Sequence, residues 1–187
     1  MIALIEDGKK KVLFSYNSGQ SIFEPFDDMV AIKNNDKYIG FIAQDYSTRK
    51  YGYVDTRGLT KLEIKYDALG LIYNDVILDR TFNQDEDKIV ASLDGKYGVI
   101  NLSTGKEIIP FKYDNIYLGA NNTYIVKSAK KYTLVNAKEE KILENEYDMI
   151  FSFNDVLVVS DGGYIKIVDT KGNKLVDDEI SIVVDYK

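Results

Sequence analysis

The sequence predicts an all-β protein in which one short motif recurs along the chain. Its apolar segments are short, rich in β-branched and aromatic residues, and separated by Gly, Asn or Asp, which is typical of strands joined by tight turns. No segment has an apolar periodicity that would sustain a helix of about ten residues. The recurring motif is the third observation, and it determines the predicted architecture.

The motif is clearest from Lys96 to Ile116. A strand that begins Lys-Tyr-Gly is followed by a turn at Gly105, then by Ile-Ile-Pro, and then by the pair Tyr113-Asp114. The same order recurs from residue 50 to 69 and from residue 131 to 150, and weaker copies surround Lys11 and Ile165. In the three clear copies the first tyrosine, the anchor, precedes the Tyr-Asp pair by 15 or 16 residues. Five copies are therefore present.

Self-similarity at such a spacing is typical of solenoids, propellers and arrays. The copy that starts at Tyr113 predicts four strands, at residues 113–117, 123–128, 131–136 and 141–144. We therefore predict a single domain over residues 1–187, made of about five four-stranded units. A small five-bladed β-propeller is the favoured arrangement and an open β-solenoid is the alternative. The longest step between copies indicates an insertion at about residues 80–87.

The anchor strand, the Gly turn, the Ile-Ile-Pro and the Tyr-Asp pair together resemble the WG-repeat family of bacterial proteins. In that family a Trp-Gly pair occupies the anchor, whereas here Tyr51, Tyr97 and Tyr132 stand at the Trp position and Gly52 and Gly98 keep the glycine. The resemblance implies a tandem β-repeat fold in a bacterial protein. It implies no particular activity, because a shared architecture does not determine function.

Composition restricts the chemistry. The net charge of −6 disfavours a nucleic-acid partner and favours a basic protein partner. The sequence has no His, Cys or Trp, so a thiol nucleophile, a His-activated serine and a thiolate or imidazole zinc site are all excluded. No apolar run approaches the roughly 20 residues of a membrane span. We expect a cytoplasmic protein that has no membrane partner and needs no cofactor or metal.

Two acidic patterns invite a functional interpretation. The pairs Tyr66-Asp67, Tyr113-Asp114 and Tyr147-Asp148 recur once per repeat, which favours a structural role in which Tyr packs and Asp caps a turn through its own backbone. Residues 83–94 place Asn and Asp at offsets reminiscent of a calcium loop, but Lys88 stands where that loop needs glycine. A solvated acidic insertion is therefore favoured there, and no metal ligand or catalytic residue is predicted.

Four aromatic residues that follow the Tyr-Asp pairs differ between copies, and variation within a repeat frame is typical of a binding face. They are Tyr73, Tyr117, Phe151 and Phe153. The alternative is that they fill space between repeats, since aromatic residues also favour strands. We predict these four as the binding residues.

The sequence thus predicts a non-catalytic binding module that contacts another protein through the repeat face. Its most specific form is an acidic immunity protein that inhibits a basic toxin. A lectin-like propeller that binds carbohydrate is the alternative. A glycoside hydrolase is a more distant one, which would need two carboxyl groups about 5 to 10 Å apart across a cleft.

Overall fold

The computed structural model describes residues 2–7, 10–15, 18–21, 26–34, 37–70, 72–73, 76–77, 82–83, 87–176 and 180–181. It contains strands and turns and no helix in these ranges, so no described helix could cross a membrane. The chain divides into two compact units, residues 1–111 and 112–187. The predicted single domain over residues 1–187 stays a prediction.

The first unit contains three sheets and a two-stranded ribbon, β9 with β10. The first sheet consists of β1 (Ile2–Asp7), β2 (Lys10–Ser15) and β3 (Gln20–Ser21). The second sheet consists of β4 (Asp28–Asn34), β5 (Lys37–Asp45), β6 (Lys50–Asp55) and β7 (Thr60–Tyr66). The third sheet consists of β8 (Ala68–Leu69), β11 (Phe82–Asn83), β12 (Lys88–Leu93), β13 (Lys96–Asn101) and β14 (Glu107–Tyr113). The ribbon consists of β9 (Ile72–Tyr73) and β10 (Val76–Ile77). The last two residues of β14 belong to the second unit.

The second unit contains two sheets. The fourth sheet consists of β15 (Asn115–Leu118), β16 (Thr123–Ser128) and β17 (Lys131–Asn136). The fifth sheet consists of β18 (Met149–Phe153), β19 (Val156–Asp161), β20 (Tyr164–Asp169) and β21 (Ile180–Ser181).

The five copies of the motif correspond to five sheets, and the registers recorded between their strands are all antiparallel. Each anchor segment forms one strand of its own sheet, namely β2, β6, β13, β17 and β20. The predicted fold class, an all-β chain of tandem antiparallel sheets with four-stranded units, is confirmed. The insertion expected at residues 80–87 falls mainly outside the described residues, although β11 lies within it.

The second and third sheets stack through apolar side chains, and so do the fourth and fifth. In the first unit Ile42 and Tyr53 of the second sheet share a buried cluster with Ile89, Ala91 and Ile100 of the third sheet. Because burial disfavours the tyrosinate and the charges of Asp87 and Asp55 add to the effect, the pKa of Tyr53 is raised to about 12. Its hydroxyl donates to the Ile39 carbonyl at 2.9 Å, so this buried phenol is satisfied. In the second unit the corresponding positions of the fourth and fifth sheets pack in the same way.

The anchor glycines are required by a close approach of the neighbouring strand. A Cβ at Gly52 would lie 2.7 Å from the Leu62 carbonyl oxygen, and one at Gly98 would lie 2.6 Å from the Ile109 carbonyl oxygen. Both contacts are with backbone, which cannot move aside as a flexible side chain can. The glycine of the motif therefore allows the last strand of the sheet to cross directly over the anchor strand.

The fourth sheet departs from this pattern, and the strand predicted at residues 141–144 is wrong. Thr133 stands where Gly52 and Gly98 stand, and at those two positions a Cβ would lie within 2.7 Å of the backbone of the last strand, so a threonine does not permit an equally close approach. The chain from Lys141 to Tyr147 contacts β17 only through isolated bridges, Val135 with Lys141 and Tyr132 with Tyr147, and bends between them. The buried Thr133 Oγ1 has no hydrogen-bond partner among the described residues.

We expect Gly98→Ala to lower the free energy of unfolding by about 1–3 kcal/mol, since the new methyl group overpacks against the Ile109 carbonyl. Urea unfolding measures the change. The control is Lys106→Ala, an exposed position for which the expected change is within about 0.5 kcal/mol. Equal stability of Gly98→Ala and the unsubstituted protein would contradict the close approach.

Two buried threonines should respond to the same substitution with opposite sign. Thr133→Val removes a hydroxyl without a described partner and should raise the free energy of unfolding by about 1 kcal/mol. Thr123→Val removes a hydroxyl that donates to the Ala120 carbonyl at 2.6 Å and should lower it by about 1 kcal/mol. Calorimetric melting of the two variants side by side tests this, and a shift in the same direction for both would refute it.

Candidate functional site

The aspartate of each Tyr-Asp pair ties the chain to the next hairpin. The Asp67 carboxylate accepts from the Gly95 amide at 3.0 Å, and Asp148 accepts from the Gly162 amide at 2.9 Å. The equivalent bonds elsewhere are Tyr46 N to Asp27 at 2.8 Å and Ala129 N to Asp114 at 2.7 Å. The predicted structural role is thus supported, but the expected mechanism is wrong, since each carboxylate caps a turn 14 to 28 residues further along the chain.

Lysines reinforce two of these aspartates. Lys50 forms an ion pair with Asp67, and its hydrogen bond holds the pKa of that carboxyl below its usual range. Lys131 lies between Asp148 at 2.8 Å and Asp161 at 2.6 Å, and it lowers the pKa of Asp148 in the same way. These carboxylates stay ionised at neutral pH.

Local turn capping is performed instead by the Asp or Asn that ends an anchor strand. Asp55 accepts from the amides of Arg57 and Leu59, and Asp169 accepts from the amides of Lys171 and Asn173, all at 2.8–3.0 Å. Asn101 and Asn136 occupy the same position and cap their turns likewise. The sequence pattern Asp/Asn at the end of the anchor strand is therefore a turn signal.

The general acid of a glycoside hydrolase needs a carboxyl group with a raised pKa. Six carboxyl groups of this chain have a lowered pKa and do not fit that role. These groups are Asp55, Asp67, Glu139, Glu146, Asp148 and Asp169. For Asp55, burial raises the pKa but the hydrogen bonds from Arg57 and from two amides outweigh it.

The acidic segment that resembles a calcium loop is described only in part, because Asp85 lies outside the described residues. Asp87 caps a turn there, since its carboxylate accepts from the Ser103 amide at 3.0 Å. Within the described ranges no cluster of three or more Asp or Glu side chains is arranged to hold a metal ion.

The four aromatic residues predicted as binding residues have different environments. Phe151 and Phe153 are exposed, at 40% and 75%. Tyr117 is half-buried, and its hydroxyl accepts from the side-chain Nδ2 of Asn115 at 3.0 Å. Tyr73 belongs to the β9–β10 ribbon, and its side chain lies outside the described part of the structure. The structure thus places two of the four on one exposed surface.

We name this surface the outer face of the fifth sheet. Strand alternation puts Met149, Phe151 and Phe153 of β18 on it, because the alternate residue Ile150 points into the core. The register adds Val158 and Ile167 beside Phe151. The outer face is defined by Met149, Phe151, Phe153, Val156, Val158, Ile165, Ile167, Asp169 and the exposed Leu175.

The corresponding row of the preceding sheet is covered. Tyr117, Ile125 and Leu134 of the fourth sheet occupy the positions of Phe151, Val158 and Ile167. Ile125 and Leu134 are only 3% and 0% exposed, because the inner side of the fifth sheet packs on them through residues such as Leu157 and Val159. One row of side chains is thus repeat core in the fourth sheet and solvent-facing surface in the fifth.

Sequence reasoning missed Met149 and Leu175 as members of this surface. The signal for Met149 was present, because Met149, Phe151 and Phe153 alternate with Ile150 and Ser152 as a half-buried strand does. Leu175 joins the outer face only through the bond from its amide to the Ile167 carbonyl at 2.9 Å, which no local pattern reveals.

The sequence comparison agrees with the motif. Residues 97–132 match the family model of the WG containing repeat. The resemblance to WG repeats is thereby confirmed over that segment, which includes β13 to the start of β17. A comparison with curated proteins finds no match.

Solved structures share the propeller-like fold. A Kluyveromyces lactis Hsv2 with loop 6CD replaced by a Gly-Ser linker has a TM-score of 0.52 at 12% identity, over 95% of this chain and 61% of that chain. A eukaryotic initiation factor has a TM-score of 0.54 at 13% identity, over 96% and 51%. The chain therefore spans only about half to three fifths of these proteins, and at such identities the likeness concerns the fold alone. A streptogramin B lyase, with a TM-score of 0.42 at 15% identity over 95% and 63%, is too dissimilar to support an inference.

We expect Asp67→Asn to lower the free energy of unfolding by less than about 1 kcal/mol at pH 7, since the ion pair with Lys50 is partly exposed. The pKa of Asp67 is lower in the folded state than in the unfolded state. Its ionised carboxylate therefore stabilises the fold fully above the unfolded-state pKa of about 3.9, and this stabilisation is lost as the pH falls through the folded-state pKa. Urea unfolding between pH 7 and pH 2 should show the two proteins converging. The exposed Glu144→Gln is the control, and a difference independent of pH would rule out the ion pair as its source.

Proposed function

We propose that the chain is a protein-binding module whose binding surface is the outer face of the fifth sheet. The observation that carries the proposal is the exposure of Phe151, with Phe153 beside it, in a row whose equivalents Ile125 and Leu134 are buried in the preceding sheet. Exposed apolar patches of this kind, rimmed by polar residues, mark interaction sites. Aromatic side chains at the centre of such a patch contribute most to binding.

Charge defines the chemistry of the partner. Asp169 shares the outer face with Val156 and Phe153, and the hydrogen bonds from Asn173 and Lys171 lower its pKa, so it is an anion. Asp155 lies exposed in the β18–β19 turn, and the whole chain carries a net charge of −6. The partner is therefore a protein that presents an aliphatic patch bordered by Lys or Arg, since complementary charge favours encounter and correct register.

The most specific form of the proposal is an immunity protein that acts in the bacterial cytoplasm and masks a cationic toxin. The acidic composition supports it, and so does an exposed apolar surface that includes the anionic Asp169. Such an inhibitor needs affinity and charge complementarity, not chemistry.

Phe153→Ser should abolish capture of the partner from a native lysate while leaving the melting temperature unchanged, because the side chain is 75% exposed. The assay is a pull-down with purified chain as bait at about 50 mM and about 300 mM salt, a range over which surface charges become screened. The expected product is a basic protein that is retained best at low salt.

Leu59→Ser is the matched control, since Leu59 is also an exposed apolar residue but lies in the turn between β6 and β7 of the second sheet. Binding that survives Phe153→Ser, or that both variants reduce equally, would show that the outer face is not the binding surface. A bound protein without excess Lys and Arg would refute the charge argument alone.

A further inference from the structure

Two notches occur at corresponding places in the repeat, one in each unit. Each lies where the aromatic residue of a Tyr-Asp or Phe-Asp pair meets the next hairpin. One notch, of about 410 Å³, is lined by Phe26, Asp27, Gln44, Asp45, Tyr46, Ser47 and Ile64. The other, of about 180 Å³, is lined by Asn145, Tyr147, Val159, Asp161, Tyr164 and Lys166. Neither includes a residue of the outer face.

The base of each notch is fixed in the same way. Phe26 exchanges two backbone hydrogen bonds with Lys11, at 2.8 and 3.0 Å, and Tyr147 exchanges two with Tyr132, at 2.7 and 2.8 Å. The backbone of the aromatic residue at the base is therefore fixed by a two-bond bridge. A rigid, preformed base reduces the ordering cost of binding a small ligand.

The acid of each notch is also held in place. Asp45 accepts from the Ser47 amide at 2.7 Å and from the Ser47 hydroxyl at 2.6 Å. Asp161 occupies the same position at the end of β19 and accepts from Lys131 at 2.6 Å. Each notch thus places a fixed carboxylate beside an aromatic ring.

The two notches differ from the other described junctions in carrying an exposed tyrosine on the hairpin. Tyr46 and Tyr164 are 56% and 54% exposed. Tyr46 lies in its turn, where the hairpins that follow Tyr66-Asp67 and Tyr113-Asp114 have Gly95 and Ala129. Tyr164 is the first residue of β20, and the equivalent residues of those hairpins are Lys96 and Lys131. Two aromatic rings and a carboxylate around an open notch suit a ring that is apolar on its face and hydroxylated at its edge.

We propose that these notches are carbohydrate sites, in which Tyr46 and Tyr164 stack on the apolar face of a sugar ring and Asp45 and Asp161 accept from its hydroxyl groups. A neutral polyol suits both notches, whereas a cationic ligand would be repelled by Lys166 in the second one. This activity goes beyond the proposed protein-binding function and uses different residues.

Saturation-transfer NMR with free methyl hexosides and N-acetylhexosamines at millimolar concentration tests the inference on the whole chain. The expected result is transfer to the C–H protons of at least one sugar. Tyr46→Ala and Tyr164→Ala should each weaken binding about tenfold at their own notch, the order expected when a contact aromatic is truncated, and the double variant should lose the signal. Tyr38→Ala, at a half-exposed tyrosine outside both notches, should keep it.

Failure of this proposal is distinguishable from failure of the proposed function, because Phe153→Ser should leave the sugar signal unchanged. No transfer from any sugar of the panel, or transfer that the double variant retains, would overturn the inference. A Lys- and Arg-rich peptide that binds through Tyr46 and Tyr164 in the absence of sugar binding would also overturn it and would place the notches in the protein interface.

Discussion

The arrangement of neighbouring strands depends on the aspartate carboxylate of each Tyr-Asp or Phe-Asp pair. This carboxylate reaches the amide of the next hairpin turn, as Asp67 does at Gly95 and Asp148 at Gly162. The backbone amide of the same aspartate also donates to the next hairpin, for example Asp67 N to Ser92 O at 2.8 Å. Two bonds from one residue set the position of a whole hairpin, so the apolar rows stack without a helix or a long loop.

The anchor glycine determines how closely the strand before the Tyr-Asp pair can approach. Gly98 lets the last strand lie against the anchor strand, and that strand leads directly into Tyr113 and Asp114. Where Thr133 replaces the glycine, the segment before Tyr147 bends, yet the backbone bridge from Tyr147 to Tyr132 and the Asp148 contact persist. The aspartate contact is thus the more robust constraint, and the strand before it tolerates distortion. That distorted segment contributes Asn145 to one of the two notches.

Local pattern was enough to locate the strands of the fourth repeat at residues 123–128 and 131–136, because alternation and turn residues are encoded within a few positions. The strand expected at residues 141–144 failed because its formation depends on Thr133, a residue on another strand. The sequence predicts the turn-capping role of Asp67 but not the turn that it caps, since Gly95 is 28 residues away. The exposure of side chains could not be predicted from the sequence either. Tyr117 and Phe151 occupy the same position of the repeat, but the neighbouring sheet packs against Tyr117, whereas Phe151 is exposed.

The difference in exposure between Tyr117 and Phe151 shows how a repeat can present a binding surface. The fourth and fifth sheets pack on each other through apolar side chains, and the fifth sheet also has apolar residues on its outer face, so a repeat built for stacking supplies an apolar binding surface where one side faces solvent. Conversion of that surface into a specific one requires departures from the repeat, and these are found in the chain. Phe153 replaces the Gly119 that follows Leu118 in the fourth repeat, and Tyr46 and Tyr164 appear at two hairpins and not at the others. Function should therefore be sought at residues that break the repeat, while residues that recur, such as the aspartates of the Tyr-Asp pairs, maintain the fold on which the others are displayed.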